Sequence, residues 1–212
     1  WNDLKNILSG LLSAIEDGNW SKPNTKLGTS ILIGNIPIVF AGILIKLLWK
    51  DYETSFLRTI PIIAIVSIVM SILLAISEIY GSRKKDINDI QIFNGFIIGL
   101  SQVLALIPGV SRSGITITTS LLSGFDRSSS ARFSFLLGIP AISIAGLVEL
   151  REIFSTTSIS EFIPLFFGII SSAISSWIAI DFLIKFLKTN TTNFFIYYRL
   201  AFGSFLLVNW HL

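Results

Sequence analysis

Four stretches of this 212-residue chain carry no charged side chain over close to the roughly 20 residues that a helix needs to cross a hydrocarbon layer. They are residues 27–45, between Lys26 and Lys46; 59–77, between Arg58 and Glu78; 133–148, between Arg132 and Glu149; and 162–180, between Glu161 and Asp181. A fifth apolar run, 193–212, is interrupted only by Arg199. In lipid every backbone N–H and C=O must find its partner within the protein, and a helix does this inside one segment. The windows therefore predict an all-α integral membrane protein, a single polytopic domain over 1–212 with about five transmembrane helices.

The composition agrees. Hydrophobic residues make up 52% of the chain and charged residues 14%, with a mean hydropathy of +0.75, whereas soluble domains carry about 25% charged residues. The expected surroundings are a lipid bilayer. Cysteine is absent, which excludes disulfides and thiolate metal sites. The net charge of +3 is too small to suggest nucleic acid as a partner. The chain begins at Trp1, shows no signal peptide, and is polar up to Lys26, a stretch that reads as a loop. The expectation is that it lacks an N-terminal segment of a longer protein.

Residues 90–125 break the pattern. They are apolar and uncharged up to Arg112, and again from there to Asp126, but Pro108 and Gly109 interrupt them near the middle. Proline cannot continue the helical ladder and pushes its predecessor out of the helical region. The simplest reading is a re-entrant helix-loop-helix hairpin over about 90–124. Irregular backbone at membrane depth is tolerated only when buried in protein or lining a watery cavity, so such a loop implies a site. Counting basic residues favours the hairpin over a full crossing. With a hairpin, Lys5, Lys22, Lys26, Arg83, Lys84, Lys85, Arg127, Arg132, Lys185 and Lys188 share one side, against Lys46, Lys50, Arg58 and Arg151 on the other. The richer side is then cytoplasmic, and Trp49 and Trp210 fall at the outer interface. If 90–107 crossed instead, the bias would vanish.

The chemistry sits in "PGVSRSGITITTSLLSG", residues 108–124. Ser111 or Ser113 can cap a helix whose orphan N–H groups form an anion site. Gly109 and Gly114 permit close backbone approach, and the Arg112 guanidinium matches phosphate oxygens. Ser113, Thr116, Ser120 and Ser123 recur at helical spacing on one face. Hydroxyls at that spacing also serve as plain packing contacts in membrane helices, but an intramembrane arginine costs roughly 2.5–3.5 kcal/mol and marks function by default. Arg199, in "IYYRLAFG", is the second intramembrane charge. It suits either an ion pair with Asp181 or Glu149 or a second phosphate contact. Glu78, closing its span, reads as a solvated helix-end acid, and His211, next to the C-terminal residue, as a bystander.

The motif formed by Pro108, Gly109, Ser111, Arg112, Ser113, Gly114 and Thr116 resembles the signature of the bacterial undecaprenyl-diphosphate phosphatases of the bacitracin-resistance type. The likeness continues through "GNIP" (34–37), "ARFSFLLGIPA" (131–141) and "IYYR" (196–199) and covers essentially the whole chain. It implies the second half of an inverted-repeat fold in the bacterial cytoplasmic (inner) membrane, with an active site facing the outer side. It implies hydrolysis of a C55 polyprenyl diphosphate lipid, which recycles the carrier for peptidoglycan. In that family Arg112, Ser111 and Ser113 would be catalytic, and Gly109, Gly114, Thr116 and Arg199 would bind substrate. It further implies a divalent cation, Mg or Ca, whose ligands lie in an acidic, Ser- and His-bearing N-terminal motif. That motif is not in this sequence, so the 212 residues alone are expected to lack phosphatase activity and no residue here is a metal ligand. Two other readings remain open, a polyprenyl-phosphate flippase or transporter and a non-catalytic lipid-phosphate binder. The sequence leaves a homo-oligomer open as well.

Overall fold

The computed structural model describes residues 2–156 and 159–210, and the side chains of these outside 151–161. The Arg151 side chain and His211 thus fall beyond what is described. The elements are α1 (Asn2–Asp17), α2 (Pro23–Leu48), α3 (Ile60–Tyr80), α4 (Ile92–Gln102), α5 (Arg112–Leu122), α6 (Arg127–Thr156), α7 (Ile159–Thr189) and α8 (Asn193–Asn209). Among the described residues there is no strand, only an isolated bridge between Lys85 and Phe125.

Four helical segments are long and apolar enough to span a membrane: Pro23–Leu48, Ile60–Tyr80, Arg127–Leu150 and Phe162–Thr189. They contain the four charge-free windows and expose large apolar side chains such as Leu32, Ile72, Leu147 and Trp177 outward, as a lipid-facing surface requires. The fifth run carries a shorter helix than these four. α8 has 17 residues, about 25 Å at 1.5 Å per residue, and is braced along α3. There the Ser71 hydroxyl donates to the Ile196 carbonyl at 2.7 Å, and Gly203 lies against Ala64 and Ile68.

The N-terminal stretch is a helix, not a loop. α1 buries Ile7, Gly10 and Ala14, spaced three and four apart, against α2. Its contact is close because Gly28 leaves room for Ile7 and Leu11, and the Thr25 hydroxyl donates to the Gly10 carbonyl at 2.9 Å. Its polar residues lie outside that stripe, and one of them, Asp3, pairs with Arg132 of α6.

The central segment is a hairpin of two short helices. α4 and α5 have 11 residues each, and α4 continues into a 3-10 turn over Val103–Leu106. Its two ends are tied together. The Lys85 N–H donates to the Gly124 carbonyl at 3.0 Å, and the Asp126 N–H to the Lys85 carbonyl at 2.9 Å. The chain therefore enters and leaves at one level. α4 is seated on α2 by small residues: Gly95 and Gly99 cross Ser30 and Gly34 with backbones in direct contact, the small-xxx-small geometry of membrane helix pairs. The hairpin tip reaches the far end of the bundle. Gly109 touches the carbonyl of Ile63 in the first turn of α3, and the Tyr52 hydroxyl donates to the Leu106 carbonyl.

At the other end the expectation for Glu78 fails. This acid is 8% exposed and is a hub. Arg83 Nη1 donates to its Oε1 at 2.9 Å and Arg127 Nε at 2.8 Å, with a second bond from Arg127 Nη2. The Thr192 hydroxyl donates to Oε2 at 2.7 Å and the Thr192 N–H at 3.3 Å. One carboxylate thus joins α3, the α3–α4 connection, α6 and the start of α8.

Candidate functional site

The turn at Pro108-Gly109 needs its glycine. Gly109 has φ +94°, and a Cβ there would lie 2.7 Å from the Ile63 carbonyl oxygen, so both backbone conformation and space select a residue without a side chain. Val110 anchors the turn by packing with Met70 and Ile115. Ser111 then caps α5: its side chain accepts from the Gly114 N–H at 3.2 Å, and its carbonyl from the Ile115 N–H at 3.0 Å. Of the two candidate caps, Ser111 is the one used. It holds φ +66°, a conformation that costs a non-glycine residue of order 1 kcal/mol or more and clusters at functional sites. Among the described residues the Arg112 and Ser113 N–H groups at the start of the helix have no such partners, the usual condition of a free helix N-terminus that can receive an anion.

The two arginines lie on opposite sides of this helix start. Arg112 turns toward α4 and α6. Its Nη1 donates to the Ser134 carbonyl at 3.1 Å and, more weakly, to Gln102 Oε1 at 3.5 Å. The guanidinium rests on Gly138 of α6, where a Cβ would collide with it. Arg199 comes from α8 and holds the loop from the other side, Nη2 donating to the Gly109 carbonyl at 2.6 Å and Nη1 to the Val110 carbonyl at 3.1 Å. It passes so close to Gly114 that a Cβ there would lie 2.8 Å from Nη1. The ion pair expected for Arg199 is not formed; Asp181 bonds Lys185 instead, at 2.7 Å. Among the described residues no acid pairs with Arg112 or Arg199.

A cavity of about 250 Å³ lies under the loop between α3, α5, α7 and α8. Ser111, Ser113, Gly114 and Arg199 form its polar end, and Leu74, Ile117, Leu183, Leu187, Phe195 and Tyr198 its apolar walls. Arg112 does not line it. Thr116 does not either: it is fully buried, bonded to the Ser134 hydroxyl at 2.7 Å. The hydroxyls read from spacing as one pocket face are thus divided, with Ser113 at the cavity and Thr116 and Ser120 in packing contacts. Sequence reasoning did not single out Gln102 or Gly138, the groups beside Arg112. Gln102 is fully buried with its Nε2 unpartnered. The run "LGIPA", with a glycine two residues before a proline in a membrane helix, was the available signal for Gly138.

The description "Bacitracin resistance protein BacA" belongs to a family model that matches residues 1–205. The chain belongs to the BacA family. It is 56% identical over 212 residues to a protein of Prochlorococcus marinus named undecaprenyl-diphosphatase, covering all of this chain and 73% of that one. A Synechococcus species (strain CC9311) has a protein of the same name, 52% identical over 208 residues, 98% of this chain and 74% of that one. For a BacA-family chain, the fit of a divalent cation can be examined directly. The groups around Arg112 are carbonyls, an amide and hydroxyls, and among the described residues no three of His, Asp and Glu gather closely enough to hold a metal. These residues do not fit such an ion.

Proposed function

We infer that the protein is an undecaprenyl-diphosphate phosphatase. It hydrolyses the C55 polyprenyl diphosphate to the monophosphate and inorganic phosphate, which returns the lipid carrier to peptidoglycan synthesis and confers bacitracin resistance. The family membership and the undecaprenyl-diphosphatase relatives support the reaction. The observation that supports its location is Arg112: a half-buried guanidinium in the signature loop, unneutralised by any acid among the described residues and using only Nη1 in the bonds above. A partly desolvated, unpaired cation of this kind favours the binding of an anion.

In this reading the terminal phosphoryl group docks at the start of α5. The net reaction adds water to the terminal phosphorus as its bond to the bridging oxygen breaks: the lipid monophosphate leaves with the electron pair, and the water oxygen and its protons depart as inorganic phosphate. Charge on the phosphoryl oxygens is met by Arg112 and by the N–H groups of Arg112 and Ser113, with the Ser111 and Ser113 hydroxyls as further donors. Such preorganised donors are the main protein contribution to phosphoryl transfer. Arg199 acts through the loop it holds, and Gly109 and Gly114 give the space for that grip. The loop tip lies at the end of the bundle away from Arg83, Lys84 and Lys85. With the basic end cytoplasmic, this supports an active site facing the outer side of the cytoplasmic membrane.

The test is Arg112→Ala in the complete gene product, reconstituted with the C55 diphosphate. Phosphate release should fall by at least about a thousandfold, as for loss of a principal charge-stabilising group, with an unchanged melting temperature. Turnover within tenfold of the parent would overturn the assignment of Arg112. Transbilayer movement of intact lipid without phosphate release, in the parent protein, would replace hydrolysis by transport.

A further inference from the structure

A second cavity lies at the opposite end of the bundle from the loop tip. It encloses about 410 Å³ and is lined by Arg83, Arg127, Lys188, Ser128, Ser129, Asp126 and Leu187. We propose that this cavity binds the phosphate group of an anionic phospholipid from the leaflet at the basic end of the protein.

The acids around it are already engaged. Glu78 receives five hydrogen bonds, three of them from Arg83 and Arg127, and so fixes both guanidiniums without using all their donors. Asp126 caps α6, its carboxylate accepting from the Ser129 N–H at 2.8 Å and the Ser129 hydroxyl at 2.7 Å. Lys188, on the last turn of α7, has no acid partner among the described residues. Counting Arg83, Arg127 and Lys188 against Glu78 and Asp126 leaves one net positive charge in a concave site that also offers the Ser128 hydroxyl. Two rigid guanidinium forks beside an ammonium suit a phosphate better than a carboxylate of arbitrary shape. The site is costly to hold in place without a role. Arg83 keeps a left-handed backbone, φ +54°, in the geometry that brings its side chain to Glu78.

A lipid is favoured over a soluble anion by what adjoins the cavity. It opens at the end of α7, whose preceding turns present Trp177, Ile178 and Phe182 to the outside, 76%, 64% and 64% exposed. Acyl chains lying on that face would bring a headgroup to the level of Lys188. Lys84 and Lys85 stand at the same end, where anionic leaflets attract basic residues.

The experiment uses delipidated protein in a non-ionic detergent, with native mass spectrometry counting bound lipid. Phosphatidylglycerol, phosphatidylcholine and inorganic phosphate are added separately. One phosphatidylglycerol should be retained per chain in preference to phosphatidylcholine. Lys188→Gln should weaken that retention by about fivefold, the effect of one basic residue at an anionic surface. Lys185→Gln, which removes a lysine already paired with Asp181 one turn away, should leave it unchanged. Competition by millimolar inorganic phosphate supports recognition of the phosphate group itself. Phosphate binding without any retained lipid would overturn the lipid as occupant. Equal weakening by the two lysine variants, or equal retention of the two lipids, would overturn the site.

Discussion

Replacing Glu78 by glutamine tests whether the carboxylate hub holds the basic end of the bundle together. The change is isosteric, so no cavity forms, but it removes the charge that compensates Arg83 and Arg127 and turns an amide N–H group toward one of its former donors. Breaking a buried ion pair from one side costs about 3–5 kcal/mol. The Arg83 and Arg127 side chains are 32% and 24% exposed, so water recovers part of their solvation, and about 2–3 kcal/mol is the reasonable expectation. For a chain of this size each kcal/mol shifts the melting temperature by roughly 2–4 °C, which predicts a fall of about 4–12 °C. Tryptophan fluorescence melts in one detergent measure it. Thr192→Ala alone should cost about 1.5–3 kcal/mol for the lost hydrogen bond to a charged acceptor and less in the Glu78→Gln background, because that change has already removed the acceptor's charge. A Glu78→Gln melting temperature within 1 °C of the parent, or strict additivity with Thr192→Ala, would refute the hub.

Three further outcomes follow from the glycines and from Arg199. Gly138→Ala places a methyl group where the Arg112 guanidinium lies; the flexible side chain can swing away, so phosphate release should drop at least about tenfold while the melting temperature holds within about 2 °C. Gly99→Ala instead meets backbone of Gly34, which cannot yield, and should cost at least about 3 kcal/mol, read as loss of folded, monodisperse protein on size exclusion. Arg199→Met removes both bonds to the Gly109 and Val110 carbonyls; hydrogen exchange over residues 107–113 should rise at least about tenfold, since a hydrogen bond to a charged group is worth roughly 1.5–3 kcal/mol. Unchanged exchange there would mean that Arg199 does not hold the loop.

What the sequence made legible was periodic or punctuated. The four charge-free windows fall inside α2, α3, α6 and α7 because desolvating a charge in lipid is the strongest local constraint on such a chain. Pro108-Gly109 marked the hairpin turn because both residues act on their own backbone. Failures came where the deciding partner lies far along the chain. Glu78 looked solvated because its partners Arg127 and Thr192 are 49 and 114 residues away. The hydroxyl face of α5 looked uniform because spacing fixes direction around a helix axis but not what each direction meets; Thr116 meets Ser134 and Ser113 meets a cavity. The polar tone of residues 2–17 concealed the stripe of Ile7, Gly10 and Ala14, which small residues make faint on any hydrophobicity scale.

The separation of the two arginines carries the mechanism further than the motif does. Read from sequence, Arg112 is the phosphate group's partner and Arg199 either the partner of an acid or a second phosphate contact. Their contacts divide the work. Arg199 gives its strongest donors to two loop carbonyls and thereby offsets the cost of holding Ser111 at φ +66°. Arg112 rests on one carbonyl and the edge of one amide, contacts that an incoming phosphate can displace because it adds a full opposite charge and a bidentate match to the guanidinium fork. A loop fixed by one arginine and a second arginine held loosely in reach is the arrangement that phosphoryl transfer needs. If Arg112 meets the phosphate as proposed, the strain stays with the loop that Arg199 holds and the less firmly bonded guanidinium serves the substrate.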